Sequence, residues 1–232
     1  MHQLLHFLNK KTILILIFSI FICIAKWCVF VFSESNLEAK ILFNYIADSK
    51  YWIPYIKFIS ELTLNYSYDP EIKNLNNLPI PIGSLFIYSI FYKIFGLHSL
   101  IIVEFFATFL FLLIFYKIFN RFCDENFSLF FSIFLISLPG IFEYINLDIW
   151  KIENILSNLY SLRIHRPVFS NVFFFGCIYF LIKEIQEKKI NEKNILIFSF
   201  FLGLLFSSFY YFFIITFLSV SFVLLQKINF KI

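Results

Sequence analysis

Apolar runs long enough to cross a bilayer, punctuated by lysines, constrain this chain more than any other feature. Residues 12–32 are almost wholly apolar and follow Lys10 and Lys11. Residues 100–119 form a second such run, followed by a polar segment with Arg121. Residues 127–142, 168–182 and 195–225 are further apolar stretches. A helix rises ~1.5 Å per residue, so about 20 apolar residues cross a hydrocarbon core. Within lipid a helix satisfies all its backbone polar groups internally, so these runs predict an all-α chain. Composition agrees: of 232 residues, 60% are hydrophobic and only 15% are charged. Soluble proteins have roughly 45–50% apolar and about 25% charged residues, so a soluble fold of this length could not hide so much apolar surface.

The basic residues set the direction of each run. Cytoplasmic ends of spans carry excess Lys and Arg. Lys10 and Lys11 place the start of the first run inside, so it ends outside near Ser33; Lys26 lies near that outer end and snorkels to the interface. Lys117 and Arg121 place the end of residues 100–119 inside. Residues 82–95 are apolar but too short for an ordinary span and contain Lys93, so they read as a re-entrant or surface helix on the outer side. Residues 127–142 return outward, with Pro139 and Gly140 near the outer end, and residues 168–182 go back in. Lys183, Lys188, Lys189 and Lys193 mark an inner loop. Residues 195–225 are too long for one span, and Ser207-Ser208 is the natural break. The expected architecture is one polytopic transmembrane helical bundle over residues 1–232, with about six or seven spans and juxtamembrane helices on the outer side. Its outer loops are residues 33–97 and 143–167.

Other classes find little support. The net charge of +4 comes without a basic run long enough for nucleic acid. Cys23, Cys28, Cys123 and Cys177 form no CxxC, which argues against a disulfide or metal framework. The first apolar run exceeds a signal-peptide core and has no clear small-residue cleavage site, so it reads as a retained span. Nucleotide-binding, zinc-protease and nucleophile-elbow motifs are absent.

The outer loops hold the candidate chemistry. In the first, residues 37–46 alternate as a helix does, residues 48–54 read as a break, and residues 55–64 as a short amphipathic helix. Tyr51, Trp52 and Tyr55 suit a segment resting on headgroups. Glu34 stands just after the first span, Glu38 one helical turn later, and Asp48 before the aromatic run. A carboxylate there can deprotonate an acceptor hydroxyl or hold a divalent cation; solvation of a loop is the plainer alternative. The second loop contains LRIHRP, with Arg163, His165 and Arg166 on the side where positive charge is normally depleted. Guanidinium groups bind phosphate oxygens bidentately, so this cluster suits a lipid phosphate; an interfacial anchor or a salt bridge to Asp148 or Glu153 is the alternative. Glu104 is a lone acid early in residues 100–119. Intramembrane acids are functional candidates by default, and a structural partner explains it equally well. It joins the Arg163 cluster as a candidate for substrate binding. His98 reads as an interfacial side chain, and residues 209–213 as core packing or aromatic belt.

The stretch PIPIGSLFIYSIFYKIFGLHSLIIVEFFATFLFLLIFYKIFNRF, residues 79–122, resembles the GT-C superfamily of polytopic membrane glycosyltransferases, and in particular its AT-rich bacterial members. Those proteins show a proline-led aromatic helix ending in a Lys-x-Phe-Gly-like corner, then a long span with a basic end. Pro79, Pro81, Tyr88, Lys93, Phe95 and Gly96 fit that outline, as do Lys117 and Arg121. One span followed by a large outer loop with an early acid is also similar. The resemblance implies a polyprenyl-phosphate sugar donor, a glycan or lipid acceptor, and a bacterial cytoplasmic-membrane enzyme whose active side faces outward. It implies that Glu34, or Glu38 in another register, activates the acceptor and that Arg163 and Arg166 hold the donor phosphate. Two features depart from the pattern: Ser33-Glu34 stands where the family usually has Asp, and the chain is short, which fits a truncated reading frame, a minimal member or an inactive relative. The alternatives to a transferase are a lipid-linked glycan transporter or flippase and a non-catalytic membrane subunit or fragment.

Overall fold

A computed structural model describes residues 10–33, 46–61, 82–145, 168–186 and 192–229. Among them the chain is helical with no strand. In order come α1 (Lys10–Ser33), α2 (Ile46–Ser60), α3 (Ile82–Phe95), a 3₁₀ turn (Gly96–His98), α4 (Ser99–Phe119), α5 (Glu125–Ile145), α6 (Val168–Gln186), α7 (Glu192–Ser208) and α8 (Tyr210–Asn229).

Helix α4 is the centre. It packs against α1, α3, α5 and α6, and its sequence is apolar all round, as a helix with neighbours on several sides must be. Val103, Ala107, Phe111, Leu112 and Phe115 are buried along it. Phe111 and Phe115 meet edge-on at 4.7 Å, and both pack on Phe175 of α6, at 5.7 and 4.7 Å. Phenylalanine supplies much of the core, because large rings fill the gaps between helices without a polar group to satisfy.

Residues Ile82–Phe119 together are long and apolar enough to cross a membrane. They do not form one straight rod. Gly96 has φ +56°, a left-handed conformation that glycine adopts without a Cβ penalty, and the chain bends there. The rings of Phe91 and Phe106 lie 5.7 Å apart, whereas 15 residues along a straight helix cover ~22 Å. Helix α4 alone, with 21 residues, spans ~31 Å, the thickness of a hydrocarbon core.

The charged ends gather at one end of the bundle. Lys11 at the start of α1 donates to Asn126 at the start of α5. Lys117 and Arg121, at the end of α4, both lie 5.9 Å from the Tyr179 ring of α6. Asn194 at the start of α7 accepts from Lys183, at 3.0 Å, and donates to Glu184, at 3.1 Å. At the opposite end α3 bridges several helices. Gly83 at its start abuts Ser207 and Ser208 of α7, Tyr88 meets Phe169 of α6 edge-on at 5.6 Å, and Gly96 leads into α4. Helix α2 packs on α3 and buries Ile56 and Ile59.

Three boundaries differ from expectation. Helix α2 runs through Pro54, where a break was expected. Proline removes one backbone bond, and burial of Ile56 and Ile59 against the core outweighs that loss. Helix α5 begins at Glu125 rather than residue 127, because the Asp124 carboxylate caps it, accepting from the amides of Asn126 and Phe127 at 3.1 and 3.2 Å. It also continues through Pro139 and Gly140 to Ile145, so the loop expected from residue 143 starts later.

Much of the outer surface is apolar. Ile13, Ile17, Ile20 and Ile24 are exposed along one face of α1, as are Ile82, Phe86, Ile90 and Ile94 on α3. On α8, Tyr211, Ile215, Leu218 and Phe222 do the same.

Candidate functional site

The end away from the lysines holds an unusual set of buried polar groups. Glu104 is 3% exposed and is the one buried acidic side chain among the described residues. It lies in the second turn of α4, and the indole Nε1–H of Trp27 on α1 donates to its Oε2 at 3.3 Å. Trp27 is itself buried. An indole is a donor only, so this pair places the ring where it favours a carboxylate and ties α1 to the central helix. Sequence reading singled out Glu104 but not its partner: Trp27 sits in an apolar run, where nothing in the local sequence sets it apart from an interfacial tryptophan.

Helices α4 and α6 run parallel, and their contacts set a register. Phe111 and Phe115 flank Phe175, and Lys117 and Arg121 flank Tyr179. Followed back at ~1.5 Å per residue, this register puts Glu104 within about a turn of the start of α6. Ser170 and Asn171 in the first turn of α6 are buried, as are Tyr88 and Ser89 on α3. The starts of α4 and α6 and the inner face of α3 thus contribute buried polar side chains in a bundle whose other buried positions are mostly apolar.

Hydroxyls within the helices are mostly satisfied by the preceding turn. Ser19 donates to Ile15 O, Ser89 to Leu85 O, Thr108 to Glu104 O, and Thr216 to Phe212 O, at 2.7–2.9 Å. Ser84, Ser99 and Ser208 are buried with no hydrogen-bond partner for their Oγ among the described residues. Each stands at a helix boundary, namely the first turn of α3, the first residue of α4 and the last residue of α7. At Ser208 the i−4 carbonyl, that of Leu204, accepts from Ser207. All three boundaries face the end away from the lysines. This pattern was invisible in sequence, because it depends on where helices stop and on what then covers them.

The other expected site residues stand as follows. Glu34, Glu38, Arg163, His165 and Arg166 lie outside the described residues, and Asp48 lies in the first turn of α2, its side chain not described. His98 is exposed in the 3₁₀ turn. Among the described residues no group of three His, Cys, Asp or Glu side chains gathers where a metal ion could be held. Cys23 and Cys177 are buried and Cys123 is exposed, and none of the three is in a disulfide. No protein-family model matches this chain, and no curated protein or solved structure resembles it significantly.

Proposed function

We propose that this chain is a polytopic membrane protein, with about six or seven spans, that transfers sugar from a polyprenyl-phosphate donor to a glycan or lipid acceptor. The observation that carries the reading is the polar end of the bundle: Glu104 held by Trp27, beneath a short helix that folds back at Gly96, away from the basic end. The exposed isoleucine and phenylalanine faces of α1, α3 and α8 support lipid as the surrounding solvent, since a soluble monomer rarely exposes apolar patches beyond roughly 300–600 Å². The gathering of Lys11, Lys117, Arg121 and Lys183 at one end supports a cytoplasmic assignment for that end. The polar end then faces out of a bacterial cytoplasmic membrane.

In this reading the donor enters laterally between helices. Arg166 stands two residues before α6 in sequence, so Arg163, His165 and Arg166 are within chain reach of the level of Glu104. The two guanidinium groups hold the donor phosphate and offset the charge that develops on it as a leaving group. Glu34, Glu38 or Asp48 takes the proton of the acceptor hydroxyl, whose oxygen attacks the anomeric carbon while the carbon–oxygen bond to phosphate breaks. Inversion follows from that single displacement. A divalent cation held by the same loop carboxylates would serve the same leaving group. Glu104 orients polar groups of the substrate from below.

Native mass spectrometry of the gently purified protein tests the donor. We expect a co-purified polyprenyl phosphate, or its glycosylated form, that is lost in the Arg163→Ala/Arg166→Ala variant together with turnover. Bulk phospholipid alone on a folded preparation overturns the transferase reading and favours a scaffold or subunit. An ion-coupled transporter of lipid-linked glycans would use charges deep in the spans, and among the described residues only Glu104 is a buried acid.

A further inference from the structure

We propose that Lys26 of α1 and Glu104 of α4 form a charge pair across the two helices, which makes Lys26 a positioning residue for the buried carboxylate. The inference goes beyond the transferase reading and holds whether or not the chain transfers sugar, because it rests on how α1 meets α4.

Helix α1 turns one face to its neighbours. Ile15, Ser19, Cys23 and Trp27 are buried along it, whereas Ile13, Ile17, Ile20 and Ile24 are exposed. The helix runs unbroken from Lys10 to Ser33, so its register fixes where each position falls. At 3.6 residues per turn each residue advances about 100°. With Ile15 as origin, Ser19, Cys23 and Trp27 stand at about 40°, 80° and 120°, and the exposed isoleucines at about 140–200°. Position 26 stands at about 20°, between Ile15 and Ser19 and far from the exposed stripe. Lys26 thus belongs to the face that packs on α4.

It also stands at the level of Glu104. Its Cα is ~3.8 Å from that of Trp27, whose indole N–H donates to Glu104 Oε2 at 3.3 Å. Among the described residues, Lys117 and Arg121 at the far end of α4 lie ~20 Å or more along the axis from Glu104. Lys57 on α2 and Lys93 on α3 are exposed. Lys26 is the sole charged residue of residues 12–33, and Glu104 the sole acid of α4.

A carboxylate 3% exposed has room for about four hydrogen bonds, and the indole supplies a donor without supplying charge. Buried charges are costly unless they are paired and hydrogen-bonded. One acid and one base in adjoining apolar helices, at one level and on facing sides, are each other's counterions. The ammonium offers three donors on a flexible stem, which suits the carboxylate that Trp27 holds from the neighbouring position. The pair also cancels the charge that a lone carboxylate would place at the polar end of the bundle, where it would repel an anionic ligand.

The test is a double-variant cycle on the full chain in one detergent, read by thermal unfolding and by the monodisperse fraction on size exclusion. Lys26→Met and Glu104→Gln each strand one buried charge and should each lower Tm by about 6 °C or more. Lys26→Met/Glu104→Gln strands neither and should recover most of that loss. The exchange Lys26→Glu/Glu104→Lys should unfold above either single reversal, and Lys26→Arg close to the parent; loss of packing alone gives neither rescue. Should the single variants not fold, recovery of a monodisperse double variant carries the result, and a double variant that fails as they do overturns the pair. Additive losses, or no loss in Lys26→Met, also overturn it. Rescue of Glu104→Gln by Arg163→Ala/Arg166→Ala instead of Lys26→Met would put the counterion on the second loop and overturn the pair. None of these outcomes touches the donor, so the transferase reading stands or falls separately on the co-purified lipid.

Discussion

At the scale of single residues, the buried acid is the most informative. Glu104 lies on the central helix and accepts a hydrogen bond from an indole on a different helix, α1. Removing that donor leaves a buried acceptor short of a partner, which costs more than the mean worth of a hydrogen bond. Trp27→Phe should therefore destabilise the purified protein by ~2 kcal/mol, part of it lost packing. Combining it with Glu104→Gln should be non-additive, because the two groups share one interaction. Denaturant or thermal unfolding of the single and double variants in one detergent checks this; additive losses would mean that the pair is incidental. The importance of Glu104 was legible in sequence, since a lone acid in a long apolar run stands out. Its role was not, because a hydrogen bond between residues 27 and 104 leaves no mark on either local sequence.

At the scale of elements, the junction between α3 and α4 decides the architecture. Without the bend at Gly96, residues 82–119 would be one long helix and α3 could not cross to α7. The glycine adopts φ +56°, and a Cβ added there would touch nothing within 4 Å. Replacement by alanine thus isolates the backbone term. Gly96→Ala should cost about 1–3 kcal/mol, with Gly96→Asn milder, since asparagine tolerates the left-handed region. Equal stability of all three would show that the corner relaxes freely. The Lys-x-Phe-Gly corner and the short length of residues 82–95 made this turn readable in advance. The run of α2 through Pro54 was not readable, because proline signals a break locally and only contact with α3 outweighs it. Helix α5 is a similar case, where the Asp124 cap moved the start by two residues.

At the scale of the whole molecule, the ends differ in chemistry. One carries Lys11, Lys117, Arg121, Lys183 and the exposed thiol of Cys123. The other carries α3, the exposed His98 and the buried polar groups. If the basic end is cytoplasmic, a membrane-impermeant maleimide should label His98→Cys in intact cells and Cys123 only after permeabilisation. The buried thiols of Cys23 and Cys177 should stay unreactive in both cases. The opposite labelling pattern would invert the topology and place the candidate site on the cytoplasmic side.

Sequence alone determined the helical class and the positions of most helices, because each long apolar run satisfies its backbone polar groups within itself as a helix. It also determined which helix ends carry cations. Tertiary structure decided which face of each helix looks inward. In a chain this rich in apolar residues, the inward and outward faces carry similar side chains, and periodicity loses the contrast that marks a buried face. Only packing could show that α3 turns Gly83, Ser84 and Tyr88 inward and its isoleucines outward, or that three helix boundaries leave their hydroxyls at one end of the bundle.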